Sequence, residues 1–522
     1  MIVDDQTPAI GFLSRPETFR LTGPVEVIET HISLIFLAGD RAFKMKRAVR
    51  LPYVDFSTPA LRMAACEKEV ALNSTTAPGL YLGVRRIARD NTGKLALDGA
   101  GELVEAVVEM VRFDQSCLFD RMAAAGELTP TLMEEVAHMV ARFHAEAPRA
   151  REKGAASMRA VLDINEAGFS TSHVFTSDEV GASAARFRAE LDRHAGALDR
   201  RADAGKIRRC HGDLHLRNIC IFNGAPRLFD CIEFNDRIAT VDVLYDLAFL
   251  LMDLWHRDLR DFANVVMNRY LDETGDDDGF ALLPFFMAVR AAVRAHVTAT
   301  QVAESELKSE ELVAAARSYF ELAHALLGHV PAAIVAIGGL SGSGKSTIAE
   351  ALAPRIGAPP GARLVESDRL RKAMFGVPAE TRLAVEAYRP EVSAKVYRAL
   401  AERALAVLQQ GGSVVADAVF DRPENRALIE AAASQGGAKF TGIWLEADAG
   451  TLLRRVGERT AGASDATAEI VQQQLGRDAG EIGWNRVDAT GTPAAIVNAI
   501  LALKDRNASR ENAETSERIG EA

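Results

Sequence analysis

The chain has 522 residues, 48% of them hydrophobic and 25% charged, with a formal net charge of −11. At roughly 100–200 residues per domain this length makes about three units, and the composition is that of a globular protein able to bury large cores. The acidic balance argues against a general nucleic-acid or polyanion-binding surface, but leaves room for a local basic site that takes phosphate, a nucleotide or a polynucleotide end.

The opening MIVDDQTPAIGFL is acidic and has no basic region before an apolar run, so no signal peptide is expected. Residues 1–112 read as strands with one helix. THISLIFLAGD and RAFKMKRAV form two strands joined by a tight Gly39–Asp40 turn. In the second strand Ala42 and Lys44 share one face. Such a lysine can meet a phosphate, and Lys46 on the same face is a second candidate. TPALRMAACEKEVALNSTTA has helical spacing, with Leu61, Ala65, Val70 and Leu72 expected inward. It offers Glu69, or Glu67, to hold the lysine. GLYLGVRRIARD and LVEAVVEMVRF supply further strands around an NTGK turn, and the hinge to a nucleotide base is expected near Glu109 and Met110.

Residues 113–330 are mainly helical in pattern. TPTLMEEVAHMVARFHAEA is an amphipathic helix with a Thr-Pro start. TVDVLYDLAFLLMDLWHRDL, FANVVMNRYLDE, FALLPFFMAVRAAVRAHVTATQ and SEELVAAARSYFELAHALL follow. The Asp residues of VDVLYDLAFLLMDLW mark it as a buried helix of a soluble protein, and no membrane span is expected. Among these helices sits RCHGDLHLRNICIFNGAPRLFD, Arg209 to Asp230. Asp213 precedes Asn218 with the spacing of the H-R-D-x-x-x-x-N loop. ICIF and RLFD are short strands around NGAP, an Asn-Gly hairpin signal that returns Asp230 toward Asn218. Phosphoryl transfer needs one acid near the nucleophile and two groups on metal. Asp213 is therefore the expected base, with Asn218 and Asp230 sharing Mg²⁺. His211 and His215 are expected to brace the loop, since no third metal ligand accompanies them.

A boundary is expected near Pro331. Strands and helices alternate through residues 331–505, as in βαβ units around a parallel sheet. GLSGSGKST, beginning at Gly339, follows an apolar strand and precedes a helix, the context of a P-loop. Gly339, Gly342, Ser343 and Gly344 let backbone N–H groups surround phosphate oxygens. Lys345 adds charge, Ser346 can hold Mg²⁺, and Thr347 is expected among the nucleotide-binding residues. RLVESDRLRKAMFG reads as a strand ending at Asp368, an acid placed to accept a hydroxyl proton, with Arg371 three residues on to grip an anionic group. GGSVVADAVFD holds a buried strand ending at Asp417, a Mg²⁺ acid in the outer shell, and lacks the Asp-Glu pair of motor ATPases. The helix in WLEADAGTLLRRVGERT carries Arg455 and Arg459, which can clamp a transferring phosphoryl group. The polar tail, 506–522, is expected to be disordered. Five cysteines with no metal or disulfide spacing point to a reducing, cytoplasmic setting.

HGDLHLRN, LFDCIEF and VDVLYDLAFL carry a resemblance to the aminoglycoside phosphotransferase family across residues 25 to about 325. It implies a two-lobed, protein-kinase-like α+β fold, with Asp213 as the catalytic Asp, Asn218 and Asp230 on Mg²⁺, and Asp246 as a structural anchor. Cys231 and Ile232 stand where protein kinases have Phe-Gly, and LAGDRA is a reduced glycine-rich loop. Residues 331–505 resemble small P-loop kinases, namely gluconate kinase, zeta toxin and the 5′-kinase part of polynucleotide kinase, an α/β fold on a parallel sheet. D-x-x-R at Asp368–Arg371 and R-x-x-x-R at Arg455–Arg459 carry that likeness. They imply Asp368 as general base, Arg371 as substrate contact and Arg455 or Arg459 as lid residues. The whole chain resembles bacterial proteins described as bifunctional aminoglycoside phosphotransferase/ATP-binding proteins. The expectation is an ATP- and Mg²⁺-dependent kinase with two sites, acting on hydroxyls of small molecules, with oligomeric state open. One working kinase beside a nucleotide-sensing domain is the alternative, and the arginines argue against a motor ATPase. A cationic acceptor would need Glu233, Asp236, Asp242, Asp253 or Asp258, most of which read as a solvated acidic surface.

Overall fold

The computed structural model describes residues 3–30, 32–51, 54–304, 309–458, 463–504 and 506. Contacts divide the chain into two compact units, Met1–Arg257 with Phe285–Ala325, and Asp258–Pro284 with Leu326–Ala522.

In the first unit β1 (Glu26–Glu29), β2 (Ser33–Ala38), β3 (Arg41–Lys46), β4 (Tyr81–Arg89), β5 (Leu95–Leu97) and β6 (Glu102–Val111) make one antiparallel sheet in the order β1-β2-β3-β6-β4-β5. Gly39, at φ 61°, makes the turn between β2 and β3. Alternation sends Phe43 and Met45 into one core with Phe36 and Val107, and Ala42 into another with Cys66 and Val108. Helix α1 (Pro59–Thr76) lies between β3 and β4 in the chain, capped by the Thr58 side chain. Its inward face departs from the expected one. Arg62, Ala65, Cys66, Glu69 and Asn73 are buried, whereas Leu61 is exposed. The reason is electrostatic. This face meets Lys44, Lys46 and Glu105, so it presents charge and amide to them rather than leucine.

The helical part opens with the short helix Phe119–Ala125, followed by α2 (Pro130–Glu146) and the long helices Gly154–Ser170 and Ser177–Asp203. The hairpin β7 (Ile219–Phe222) and β8 (Ala225–Leu228) follows, turning at Asn223 and Gly224, both at positive φ as an Asn-Gly turn requires. Helix α3 (Val243–His256) is buried from Val243 through Leu254. The chain then passes into the second unit with α4 (Arg260–Thr274) and the 3₁₀ turn Asp277–Leu282, and returns to the first along α5 (Leu283–Glu304). Residues 258–284, read from sequence as part of the helical lobe, therefore pack with the P-loop unit. Asp277–Val302 is long and apolar enough to cross a membrane by composition, and 67% of its most apolar window is buried inside the protein, as in a core helix.

The second unit is built on five parallel strands. β9 (Ala333–Gly339) leads through the glycine loop into α6 (Lys345–Leu352), β10 (Arg363–Glu366) into α7 (Ser367–Met374), and β11 (Val414–Asp417), β12 (Lys439–Glu446), α8 (Ala449–Gly457) and β13 (Asn485–Asp488) complete it. The order is β10-β11-β9-β12-β13. Every residue of β9, β10 and β11 is buried, as expected of strands covered on both faces. Successive connections from β9 diverge to β10 on one side and β12 on the other, so the carboxyl end of β9 is where such a sheet opens a ligand crevice. The glycine loop lies there, flanked by the ends of β10 and β11.

Candidate active sites

In the first unit β3 and α1 bring two lysines onto one acid. Lys44 Nζ lies 2.8 Å from Glu69 Oε1 and also pairs with Asp230. Lys46 Nζ pairs with the other oxygen of Glu69 and with Glu233. Glu67 faces solvent, so of the two acids considered for the lysine it is Glu69 that meets it. Burial disfavours the Lys44 ammonium, but Asp230, Glu69 and Glu233 outweigh it and hold its pKa well above the ordinary value. Burial likewise disfavours the Glu69 carboxylate, and Lys44 and Lys46 overcome it, bringing its pKa to about 2. Asp230, Lys44, Glu69, Lys46 and Glu233 thus form a chain in which acids and bases alternate.

The loop His211–Asn218 and the hairpin face this chain. Asn218 Nδ2 donates to the Asp213 carbonyl and to Asp213 Oδ2, each at 2.9 Å. His215 Nε2 lies 3.4 Å from Asp213 Oδ2. Burial alone would raise the Asp213 pKa; His215, His211 and Arg294 more than offset that and hold it below the usual carboxylate range. His211 keeps its proton on Nε2, which donates to the Phe229 carbonyl at 2.9 Å, while Nδ1 accepts from Asp213 N at 3.3 Å. The hairpin returns as expected, since Phe229 N donates to the Asn218 carbonyl at 3.1 Å. Asp230 sits at φ 63°, a left-handed conformation that a non-glycine residue adopts only when held. Two groups hold it: Asp230 N donates to the Tyr81 hydroxyl at 3.1 Å, and Cys231 N to Asn73 Oδ1 at 2.9 Å. Asn73 lies one turn after Glu69 on the same face of α1.

Asp246 anchors the loop from behind. Its carboxylate accepts from Gly212 N at 2.8 Å and His211 N at 3.2 Å, with His144 Nε2 at 3.1 Å. Arg290 on α5 donates to the Gly212 carbonyl at 3.0 Å and stacks on Tyr245. Three of the acids read as solvated surface are buried and paired, which corrects that reading. Glu233 meets Lys46, Asp242 meets Arg201 at 2.7 Å, and Asp253 accepts from Leu216 N at 3.1 Å. They are structural counter-ions of this fold. Met110 and Glu109, near which the hinge is expected, lie inside β6, paired on both sides, and the strand runs on to Val111.

In the second unit the glycine loop has the backbone its motif demands. Gly339, Gly342 and Gly344 have φ of 143°, 88° and 88°. A Cβ on Gly342 would fall 2.5 Å from the Leu452 carbonyl, so no other residue fits. Ser346 Oγ donates to Asp417 Oδ2 at 2.6 Å. These are hard oxygen donors of the kind Mg²⁺ prefers, so the donor set fits that ion. Ser343 Oγ is buried with no hydrogen-bond partner among the described residues, an orphaned polar atom in the cradle itself. Lys345 Nζ donates to the Leu340 carbonyl at 3.2 Å, and Thr347 stands exposed on the first turn of α6. Gln474, which the sequence did not single out, accepts from Ser341 N at 2.8 Å and braces the loop. Burial pushes the Asp417 pKa up to about 7 against the pull of Lys345, and packing also raises that of Asp368. Arg371 is buried, stacks on Tyr388, and has an Nε without a hydrogen-bond partner among the described residues. Arg455 donates to the Ala489 carbonyl at 2.9 Å and reaches toward Gly344. Arg459 lies outside the described residues.

Family comparison accords with these two constellations. The model of the "Phosphotransferase enzyme family" matches residues 114–285, and that of the "AAA domain" matches residues 334–478. Uncharacterised proteins of Mycobacterium tuberculosis and Mycobacterium bovis are 30% identical over 500 residues, which is 90% of this chain and 93% of theirs. The chain belongs to this family of two-domain phosphotransferases. Solved structures resemble this two-domain phosphotransferase piecewise. A gluconokinase from Sinorhizobium meliloti 1021 is 26% identical, with a TM-score of 0.26, over 36% of this chain and 99% of its own. A choline/ethanolamine kinase family protein from Mesorhizobium loti is 14% identical, with a TM-score of 0.38, over 62% of this chain and 94% of its own.

Proposed function

We propose that this two-domain phosphotransferase moves the γ-phosphoryl group of ATP at two separate sites, each time to a hydroxyl of a small molecule. The observation that supports the reading is that each unit gathers residues of the types that phosphate and Mg²⁺ call for. In one, Lys44 pairs with Glu69 and Asp230 while Asn218 meets Asp213, and in the other the glycine loop, Lys345, Ser346 and Asp417 stand with Asp368 and Arg371.

In the first site Lys44, kept charged, would meet ATP phosphate, and Asn218 and Asp230 would hold Mg²⁺, which neutralises charge between the phosphates when bound. Asp213 is ionised at neutral pH and a weak base. It would orient the acceptor hydroxyl and take its proton late, as the bond to phosphorus forms. The engagement of Glu233, Asp242 and Asp253 with internal partners favours an uncharged or anionic acceptor over a polycation. In the second site backbone N–H groups and Lys345 would cradle the phosphates, Ser346 with Asp417 would hold Mg²⁺, and Asp368 would take the hydroxyl proton. The free Arg371 Nε would meet an anionic group on the acceptor, and Arg455 would close on the nucleotide. The same reading places the protein in the cytoplasm, with all five cysteines as free thiols.

Transfer from γ-labelled ATP into a metabolite extract tests this. Asp213→Ala and Lys345→Ala are each expected to lose a different labelled product. If either variant keeps every product of the parent, catalysis at two sites is wrong.

A further inference from the structure

Residues 258–284 fall within the stretch matched by the phosphotransferase family, yet they are built into the P-loop unit. Strand β10 is the edge of the parallel sheet, and an edge carries unpaired backbone groups. Side chains of α4 meet them. Asn264 Nδ2 donates to the carbonyls of Pro360 and Ala362 at 3.0 and 3.1 Å, and Leu364 N donates to Asn268 Oδ1 at 2.8 Å. A Cβ on Gly361 would lie 2.8 Å from Asn264 Nδ2, so the approach needs glycine. Arg363, fully buried at the start of β10, donates to Asn268 at 2.9 Å and to Asp272 and Asp277 at 2.7 Å each.

The next contact reaches the site. Arg269, also buried, pairs through Nη1 with Glu366 Oε2 at 3.1 Å and through Nη2 with Glu350 Oε1 at 3.0 Å. Glu350 lies on α6, the helix that starts at the phosphate loop. Glu366 ends β10, and its Oε2 also meets Arg369 Nε at 3.0 Å, in the first turn of α7 beside Asp368. One guanidinium therefore ties the phosphate-loop helix to the turn that carries Asp368 and Arg371.

We propose that Arg269 is a positioning residue of the P-loop site. It fixes the distance between the phosphate loop and the Asp368 turn through Glu350 and Glu366. The P-loop site thus depends on a residue encoded inside the phosphotransferase half. The inference rests on the assignment of Asp368 only for its effect on turnover, not for the geometry.

The test uses the full chain with Arg269→Gln and Arg269→Lys. Hydrogen exchange is expected to rise roughly tenfold at the amides of Ser367–Met374 in Arg269→Gln, while β9 and β11 stay as protected as in the parent. Arg269→Lys, which keeps a cation beside Glu366, should restore much of that protection. With the first site silenced by Asp213→Asn, MgATP turnover with water as acceptor is counted per titrated nucleotide site. It should fall roughly tenfold in Arg269→Gln with KM for MgATP nearly unchanged, because a misplaced base lowers the chemical step rather than binding. Exchange in α7 that stays at the parent level, or that rises together with β9 and β11, overturns the proposal. If Lys345→Ala leaves that turnover intact, it is the reading of the P-loop site as catalytic that fails, and the exchange result alone then decides the role of Arg269.

Discussion

Lys44 and Lys46 place two buried ammonium groups two residues apart, and Glu69 sits between them. The pairing of Lys44 with Glu69 was readable because a lysine on a strand and an acid on the next helix is a local pattern. The demand made by Lys46 was not, since it appears only when α1 closes on the sheet and brings Glu233 in from the far side of the hairpin. The same fact explains why leucine was misplaced on α1, whose inward face answers charge with charge. Lys46→Met should leave Glu233 and one oxygen of Glu69 buried without a cation, at a loss of about 3–5 kcal/mol in urea unfolding. Adding Glu233→Gln should recover part of that loss. A single variant as stable as the parent would mean that the second lysine is not a structural counter-ion.

At the scale of elements, the parts that were legible were short and self-contained. The catalytic-loop spacing, the Asn-Gly hairpin and the glycine loop each fix their own backbone within a few residues. Helix α4 shows the limit. Asn264, Asn268 and Arg269 interrupt its buried side, where Val266, Met267 and Leu271 would otherwise suit any helical core. That interruption was the available signal for a sheet edge as partner, but which edge lay some ninety positions away could not be read from spacing. The polar clamp also has a pH signature. Burial disfavours the Asp272 carboxylate, yet Arg363 and Arg269 hold its pKa below the ordinary value of 3.8. A depressed acid stabilises the fold above its unfolded pKa and loses that contribution as pH falls through its folded value. Acid unfolding of the second unit should therefore be less steep below about pH 4 in Asp272→Asn than in the parent. Equal slopes, followed by circular dichroism, would remove Asp272 from the account.

For the molecule as a whole, a boundary at residue 331 separates motifs but not folding units. Phe280 illustrates this: a Cβ on Gly412 would lie 2.6 Å from its ring, so the P-loop unit is shaped to receive it. A fragment beginning at residue 331 lacks α4 and Phe280, and leaves Arg363 buried or exposed without its two acids. It should melt well below the parent's second transition or aggregate, as followed by thermal denaturation with light scattering. A monomeric fragment melting with the parent would show that residues 258–284 are dispensable to that fold.

The crossing of the chain between units also sets an order of events during synthesis. Helix α4 leaves the ribosome well before β10, the strand whose edge it seals, because residues 275–362 must be made in between. At about 5–20 residues per second that interval lasts roughly 5–20 s. During it Asn264, Asn268 and Arg269 have no strand to grip, and the apolar side of α4 must wait in the company of an incomplete phosphotransferase. The α4 segment of this chain thus waits, partly apolar and partly charged, for a partner made later in translation.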